Sequence, residues 1–268
     1  MAIAVTEELF DTASGTIRCL LNRGEPDGRP AAVLIHGSGG QADAWRPVLE
    51  QLALVSAVAV DMPGHGGSSG RPLTSVAECS QFVDVLRQRL GLDRIVVVGQ
   101  SLGGAVAQQY AYDHPGACAG IVVANSAPDF HISDARIRDI KERWLETAEA
   151  YAAGQVSPRA GAALKQAALA MVRARNPDTF IADLEVCNGF NSRAWAGQIA
   201  VPVVIVAGHD DTLAVPARSL ALLELIAHAE MVMFSPCGHC TMLEQPYRFA
   251  AEIERFSLGC LGVQPACQ

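Results

Sequence analysis

Gly99-Gln100-Ser101-Leu102-Gly103 directly follows the apolar run Ile95 to Val98 and precedes a helix-compatible stretch, Ala105 to Tyr112. A nucleophile on a tight strand-to-helix turn needs small residues two positions to either side, because the backbone there is strained and side chains would collide. Gly99 and Gly103 meet that need and mark Ser101 as the candidate nucleophile. A hydroxyl attacks only when a neighbouring base takes its proton. Of the seven histidines, His239 follows the short apolar segment Met231 to Phe234 and precedes the closing helix, a loop position from which such a base can hang. His36, His65, His114, His131, His209 and His228 read as structural or solvated. The base needs an acid to fix its tautomer and stabilise the imidazolium. Gly208-His209-Asp210-Asp211 follows Val201 to Ala207 and offers two adjacent aspartates, whereas Asp61 precedes the nucleophile in the chain. Attack on an acyl carbon develops an oxyanion that needs two N–H donors. The loop His36-Gly37-Ser38-Gly39-Gly40 can expose its backbone, so the N–H groups of Ser38 and Leu102 are the candidate donors, Leu102 opening a helix whose N-terminus favours negative charge.

Other chemistries fit less well. The Gly-rich loop matches neither Gly-x-x-x-x-Gly-Lys-Ser/Thr nor Gly-x-Gly-x-x-Gly, so it is not a phosphate cradle. Cys237-Gly238-His239-Cys240 has the form of a thiol–disulfide exchange motif, but it lies late in the chain, behind the serine and aspartate signals, rather than near the start of a small redox domain. A disulfide between Cys237 and Cys240 would perturb His239. A second paired-ligand cluster for zinc is missing, and neither metal nor cofactor is expected.

These residues need a scaffold that delivers them to one place. Ala31 to Ile35, Val55 to Val60, Ile95 to Val98, Gly120 to Ala124 and Val201 to Ala207 are short, nearly continuous apolar runs, as expected of parallel strands covered on both faces. Val76 to Leu90 has helical spacing and ends at Gly91. The alternation predicts right-handed crossovers and a ligand crevice at the carboxyl ends of the strands. Ala4 to Phe10 and Thr16 to Leu21 predict an antiparallel edge pair. From Pro128 to Gln198 the strand pattern stops and charged helical stretches replace it, Asp134 to Tyr151 and Ala160 to Ala174, broken by Gly154, Pro158 and Pro177. The expected organisation is a core of residues 1–127 and 199–268 with a helical cap, 128–198, over the crevice.

The chain has 268 residues, 50% of them apolar, and a formal charge of −8 without a basic run, which excludes a phosphate-backbone partner. No apolar stretch approaches the roughly 18 residues of a membrane span. The opening MAIAVTEELFD lacks a basic segment followed by an apolar one, which predicts a cytoplasmic protein. Eight cysteines scattered through a chain of this size read mostly as reduced thiols.

The sequence resembles the α/β-hydrolase superfamily over nearly the whole chain outside the cap. The resemblance rests on His36-Gly37-Ser38-Gly39-Gly40, Asp61-Met62-Pro63-Gly64-His65-Gly66-Gly67-Ser68, the turn at Ser101, Gly208-His209-Asp210-Asp211, and Gly238-His239 followed by Glu244-Gln245-Pro246, in the order nucleophile, acid, histidine. It implies a mostly parallel eight-stranded sheet flanked by helices, with the cap after the sixth strand. In such proteins the acid commonly falls three residues after the glycine that ends its strand, which selects Asp211. The pattern is similar to esterases, lactonases and carbon–carbon bond hydrolases. Gln100 stands where the carbon–carbon bond hydrolases typically carry asparagine, and serine at 101 argues against haloalkane dehalogenase or epoxide hydrolase chemistry.

The reading is therefore a serine hydrolase cleaving a small to medium, largely apolar carboxylic ester, with Ser101, Asp211 and His239 as its triad and a small molecule as its partner. Lactonase, thioesterase or carbon–carbon bond hydrolase activity uses the same residues. A non-catalytic hydrolase-like receptor is the reading from another class, and a homo-oligomer is compatible with all of them. Trp45, Trp144 and Phe190 are the candidate substrate-contacting aromatics, Trp45 reading more as helix packing than as a substrate wall.

Overall fold

A computed structural model describes residues 3–22 and 31–261. Its strands are β1 (Thr6–Thr12), β2 (Gly15–Leu21), β3 (Ala31–Ile35), β4 (Ser56–Val60), β5 (Ile95–Gln100), β6 (Cys118–Ala124), β7 (Val203–Gly208) and β8 (Glu230–Phe234). They form one eight-stranded sheet in the order β1-β2-β4-β3-β5-β6-β7-β8. The β1–β2 and β2–β4 pairs are antiparallel and every later pair is parallel.

Every residue of β3, β5, β6 and β7 is buried, because helices cover both faces of these strands. Successive side chains alternate between the faces, so one strand feeds two cores. Val33, Ile35, Val97 and Ile121 join one core, whereas Ala32, Leu34, Val96 and Val122 join the other.

The helices are α1 (Arg46–Leu49), α2 (Val76–Arg89), α3 (Leu102–Asp113), α4 (Asp134–Glu142), α5 (Trp144–Gln155), α6 (Ala162–Arg173), α7 (Pro177–Asn188), α8 (Pro216–Leu225), α9 (Thr241–Glu244) and α10 (Pro246–Leu261). The segment between β6 and β7 holds α4 to α7. One local expectation differs from what is found there. The stretch Asp134 to Tyr151 is not one helix, because Arg143 leaves the helical region at φ −137° and ψ 49° and separates α4 from α5. Pro177 lies at the break between α6 and α7 and opens the second of them. The Asn176 side chain accepts N–H bonds from Asp178 at 2.9 Å and Thr179 at 3.3 Å, and proline suits the first helical position, where its missing N–H has no intrahelical role. Among the described residues no helix is long and apolar enough to cross a membrane.

Candidate active site

Parallel register brings the carboxyl ends of the central strands to one edge of the sheet. Ile35 pairs with Gly99, Gln100 and Val206 both pair with Ala124, and Gly208 pairs with Phe234. The loops carrying Ser38, Ser101, Asn125, Asp211 and His239 all leave from that edge.

Ser101 sits between β5 and α3 at φ 56° and ψ −115°, a conformation costing about 1–3 kcal/mol that persists only where its surroundings over-determine it. They do so here. The Ser101 N–H donates to the Ala124 carbonyl at 2.9 Å, and the Ser126 hydroxyl donates to the Ser101 carbonyl at 2.7 Å. A Cβ on Gly99 would overlap the Gly103 carbonyl and one on Gly103 would overlap the Ile35 carbonyl, so both positions must be glycine for β5, α3 and β3 to meet this closely.

His239 and Asp211 are buried together, with the imidazole Nδ1 2.9 Å from Asp211 Oδ2. A carboxylate can only accept, so Nδ1 carries the proton and Nε2 is left as an acceptor. Asn125 Nδ2 donates to the same carboxylate oxygen at 2.9 Å, and the Leu213 and Ala214 N–H groups donate to Oδ1 at 2.8 and 2.9 Å. Burial alone would raise the Asp211 carboxyl, but the imidazole and these donors outweigh it and hold it below the ordinary aspartate value. Gln100 Nε2 donates to the His239 carbonyl at 3.1 Å and so fixes the backbone that carries the ring. No hydrogen bond joins the Ser101 hydroxyl to His239 among the described residues. Both side chains line one cavity, and contacts of this kind commonly tighten when substrate binds.

Asp210 points elsewhere. It accepts from Ser157 Oγ at 2.5 Å and from Arg159 at 2.9 Å, and Arg159 with the other donors lowers its carboxyl. Asp61 is fully buried but takes Arg18 at 3.0 Å and the N–H groups of Ala42 and Gly67, a structural anchor for the Gly-rich loop.

No acceptor for the Ser38 N–H is found among the described residues, and Leu102, as the first residue of α3, has no intrahelical acceptor for its own. The Ser38 loop is held from α7. Asp183 Oδ2 accepts the Gly39 N–H at 2.7 Å and His65 Nε2–H at 2.9 Å, and Cys187 Sγ lies 3.6 Å from Ser38 Oγ. His65 Nδ1 faces the Pro63 carbonyl at 3.0 Å, so both ring nitrogens meet acceptors, an arrangement that favours the protonated ring. Burial would lower His65, and the Asp183 carboxylate overcomes that and raises it. His36, 4.9 Å away ring to ring, is the reverse case. Its Nδ1–H donates to the Gly37 carbonyl, its Nε2 accepts the Met62 N–H, and burial pushes it down to about 3.

Two cavities, of about 320 and 460 Å³, share Ser38, Ser101, Tyr151 and His239. The three aromatics expected to contact substrate line neither of them. Trp45 is fully buried in the core that also holds Leu34, Phe234 and Phe249, edge-on to Phe249 at 5.5 Å. Trp144 packs on Phe180 at 5.7 Å inside the inserted helices. Phe190 is buried between Phe130 and Trp195, at 6.2 and 6.0 Å. Asn125, Asp183, Gln155 and Arg175 are the site residues that sequence reasoning missed. Only Asn125 carried a signal, a polar residue just past an apolar strand.

Cys237 and Cys240 are free and buried, and burial pushes both thiols up to about 12. Raised thiol values disfavour the thiolate that an exchange motif needs, so the geometry gives the redox reading no support. Cys267 lies outside the described residues. Among the described residues no group of three or more His, Cys, Asp or Glu side chains could hold a metal ion.

Comparison with known proteins agrees with this architecture. The chain is 27% identical to 2-succinyl-6-hydroxy-2,4-cyclohexadiene-1-carboxylate synthase of Serratia proteamaculans, over 88% of this chain and 96% of that protein. A thermophilic esterase superposes with a TM-score of 0.84 at 23% identity, over 96% of this chain and 99% of that one. The enol-lactonase of Burkholderia xenovorans superposes with a TM-score of 0.82 at 18% identity, over 93% and 99%. The model describing the alpha/beta hydrolase family matches residues 32–252, most of the chain and every residue assembled at this sheet edge. The chain thus belongs to the alpha/beta hydrolase family.

Proposed function

We propose that the protein is a serine hydrolase of carboxylic esters in which Ser101 is the nucleophile, His239 the base and Asp211 its orienter. The observation that carries this reading is the 2.9 Å Asp211–His239 bond beside a strained serine lining the same cavity. As Ser101 Oγ bonds to the substrate carbonyl carbon, its proton passes to His239 Nε2. The carbonyl oxygen becomes an oxyanion bound by the N–H groups of Ser38 and Leu102. Collapse breaks the ester C–O bond, His239 returns the proton to the leaving alcohol, and Ser101 is left acylated. Water then repeats the sequence, its proton going to His239 and its oxygen to the acyl carbon, and the acid leaves as Ser101 recovers its proton.

Ser101 stands between two cavities, and an ester has two sides to accommodate. The larger cavity is lined by Phe130, Ile132, Ile140, Leu184 and Leu213 and suits an apolar portion of small to medium size. The helices of 128–198 act as the cap that closes it. Burst kinetics with 4-nitrophenyl esters, run beside Ser101→Ala, test the assignment. A stoichiometric burst followed by slower turnover is expected in the native protein, and the variant should lose several orders of magnitude. Full activity in Ser101→Ala would refute it.

A further inference from the structure

The smaller cavity carries donors that the reaction at Ser101 does not use. Arg175, half-buried between α6 and α7, lines it, and its Nη1 is buried without a hydrogen-bond partner among the described residues. No carboxylate pairs with it there. Its guanidinium instead lies over the rings of Tyr151 and Phe180, 5.3 and 5.5 Å from their centroids, which orients the fork without neutralising it. The carboxylates nearby are engaged. Asp43, on the cavity wall, is held by Arg18 at 2.8 Å and Arg46 at 3.3 Å, and Asp183 is taken by His65 and Gly39.

A second orphan donor lines the same cavity. Gln155 is buried, and its Nε2 also lacks a partner among the described residues. Its orientation is fixed from behind, since the Cys240 thiol donates to Gln155 Oε1 at 3.0 Å and the Cys240 N–H donates to the Gln155 carbonyl at 2.7 Å. Because burial keeps that thiol protonated, the oxygen of the amide faces Cys240 and the NH₂ is left over. A buried donor without an acceptor is destabilising, more so when charged, so two of them lining one cavity are a liability unless a ligand supplies acceptors. A Cβ on Gly39 would meet the Arg175 side chain, which places the cation beside the loop carrying the Ser38 N–H.

We propose that Arg175 and Gln155 form a subsite for a carboxylate carried by the substrate, so that the esters cleaved at Ser101 are acidic ones with an apolar portion on the opposite side. This rests on the serine hydrolase reading. A planar guanidinium and an amide NH₂ lining the same cavity present several N–H groups to a carboxylate's two oxygens. The carboxylate can belong to the acyl half, as in a half-ester of a dicarboxylic acid, or to the alcohol half, as in an ester of a hydroxy acid.

Two matched substrate pairs distinguish these sources: mono-4-nitrophenyl glutarate against its glutaramate, and 4-acetoxybenzoate against 4-acetoxybenzamide. A preference in kcat/KM for the anionic member of at least one pair, on the order of tenfold to a hundredfold, is expected, falling as salt rises. Arg175→Gln should abolish it, Arg175→Lys should restore part of it, and Gln155→Leu should reduce it. Equal rates within both pairs, or a preference that survives Arg175→Gln, overturn the proposal. Calorimetric titration of Ser101→Ala with monomethyl glutarate and with methyl glutaramate reads the subsite without turnover. Selective binding of the acid by a protein whose native form cleaves no ester would sustain the subsite and refute the hydrolase reading. Ester turnover with no selectivity for the acid would do the opposite.

Discussion

Asp183→Asn is a sharp perturbation, because one carboxylate oxygen ties α7 to both the Ser38 loop and His65. The substitution conserves shape and removes the charge. It leaves the His65 imidazolium, whose side chain is only 4% exposed, facing an amide that cannot balance it. Breaking a buried charge pair by removing one member costs about 3–5 kcal/mol. Asparagine keeps an acceptor for the Gly39 N–H, so the lower end, about 3 kcal/mol, is expected. At about 2–4 °C per kcal/mol for a domain near this size, the midpoint should fall by roughly 6–12 °C. The sign of the pH dependence follows from His65. Its folded pKa is raised above its unfolded value, so its stabilising contribution is full below about 6.5 and is lost as pH rises through the folded value. The groups beside it do not titrate in that interval, since burial pushes His36 down to about 3 and pushes the Cys79 thiol well up. Thermal melts followed by circular dichroism should therefore show a wider gap between native and variant proteins at pH 6 than at pH 9. A shift under about 2 °C at pH 6, or a gap equal at the two pH values, would refute the assignment of an ion pair here.

Three further outcomes are expected. Asp211→Asn should lower kcat by about ten-thousandfold through loss of the correct tautomer, whereas Asp210→Asn should stay within about threefold, as steady-state ester kinetics would show. Trp45→Ala should cost about 3–5 kcal/mol in denaturant titration through the cavity it leaves against Phe249, with ester KM unmoved at temperatures where the variant is folded. Dithiothreitol should leave activity unchanged, and Cys237 and Cys240 should react with a thiol reagent only under unfolding conditions, as timed labelling with mass spectrometry would report.

The parts of the fold readable from sequence are those set by local pattern. Fully buried strands announce themselves as apolar runs, and a base or acid just past such a run is placed by topology alone, which is why the positions of Ser101 and His239 could be anticipated. Asp183 had no comparable signature. It lies in the middle of α7, and its partners Gly39 and His65 are over a hundred residues earlier, so only tertiary packing reveals it. Gln155 and Arg175 acquire meaning only as donors left over once every neighbour has been paired. The aromatics named as substrate contacts lie in packed cores for a related reason. Trp45 follows the Gly-rich loop closely in sequence, but its side chain enters the opposite core, and hydrophobicity does not say which side of a sheet a residue fills. Pro177 marks the boundary between α6 and α7, and Asn176 before it is a recognisable helix start.

The clamp exerted by α7 on the Ser38 loop has an evolutionary corollary. Two segments that could otherwise diverge separately, the helical insertion and the glycine-rich turn of the sheet, are coupled through a single acidic side chain. Grafting residues 128–198 from a relative that lacks an acid at the place of Asp183 would strand His65 and release the turn, even if every strand and Ser101, Asp211 and His239 were preserved. Exchange of this region between family members therefore has to carry the histidine and the aspartate together.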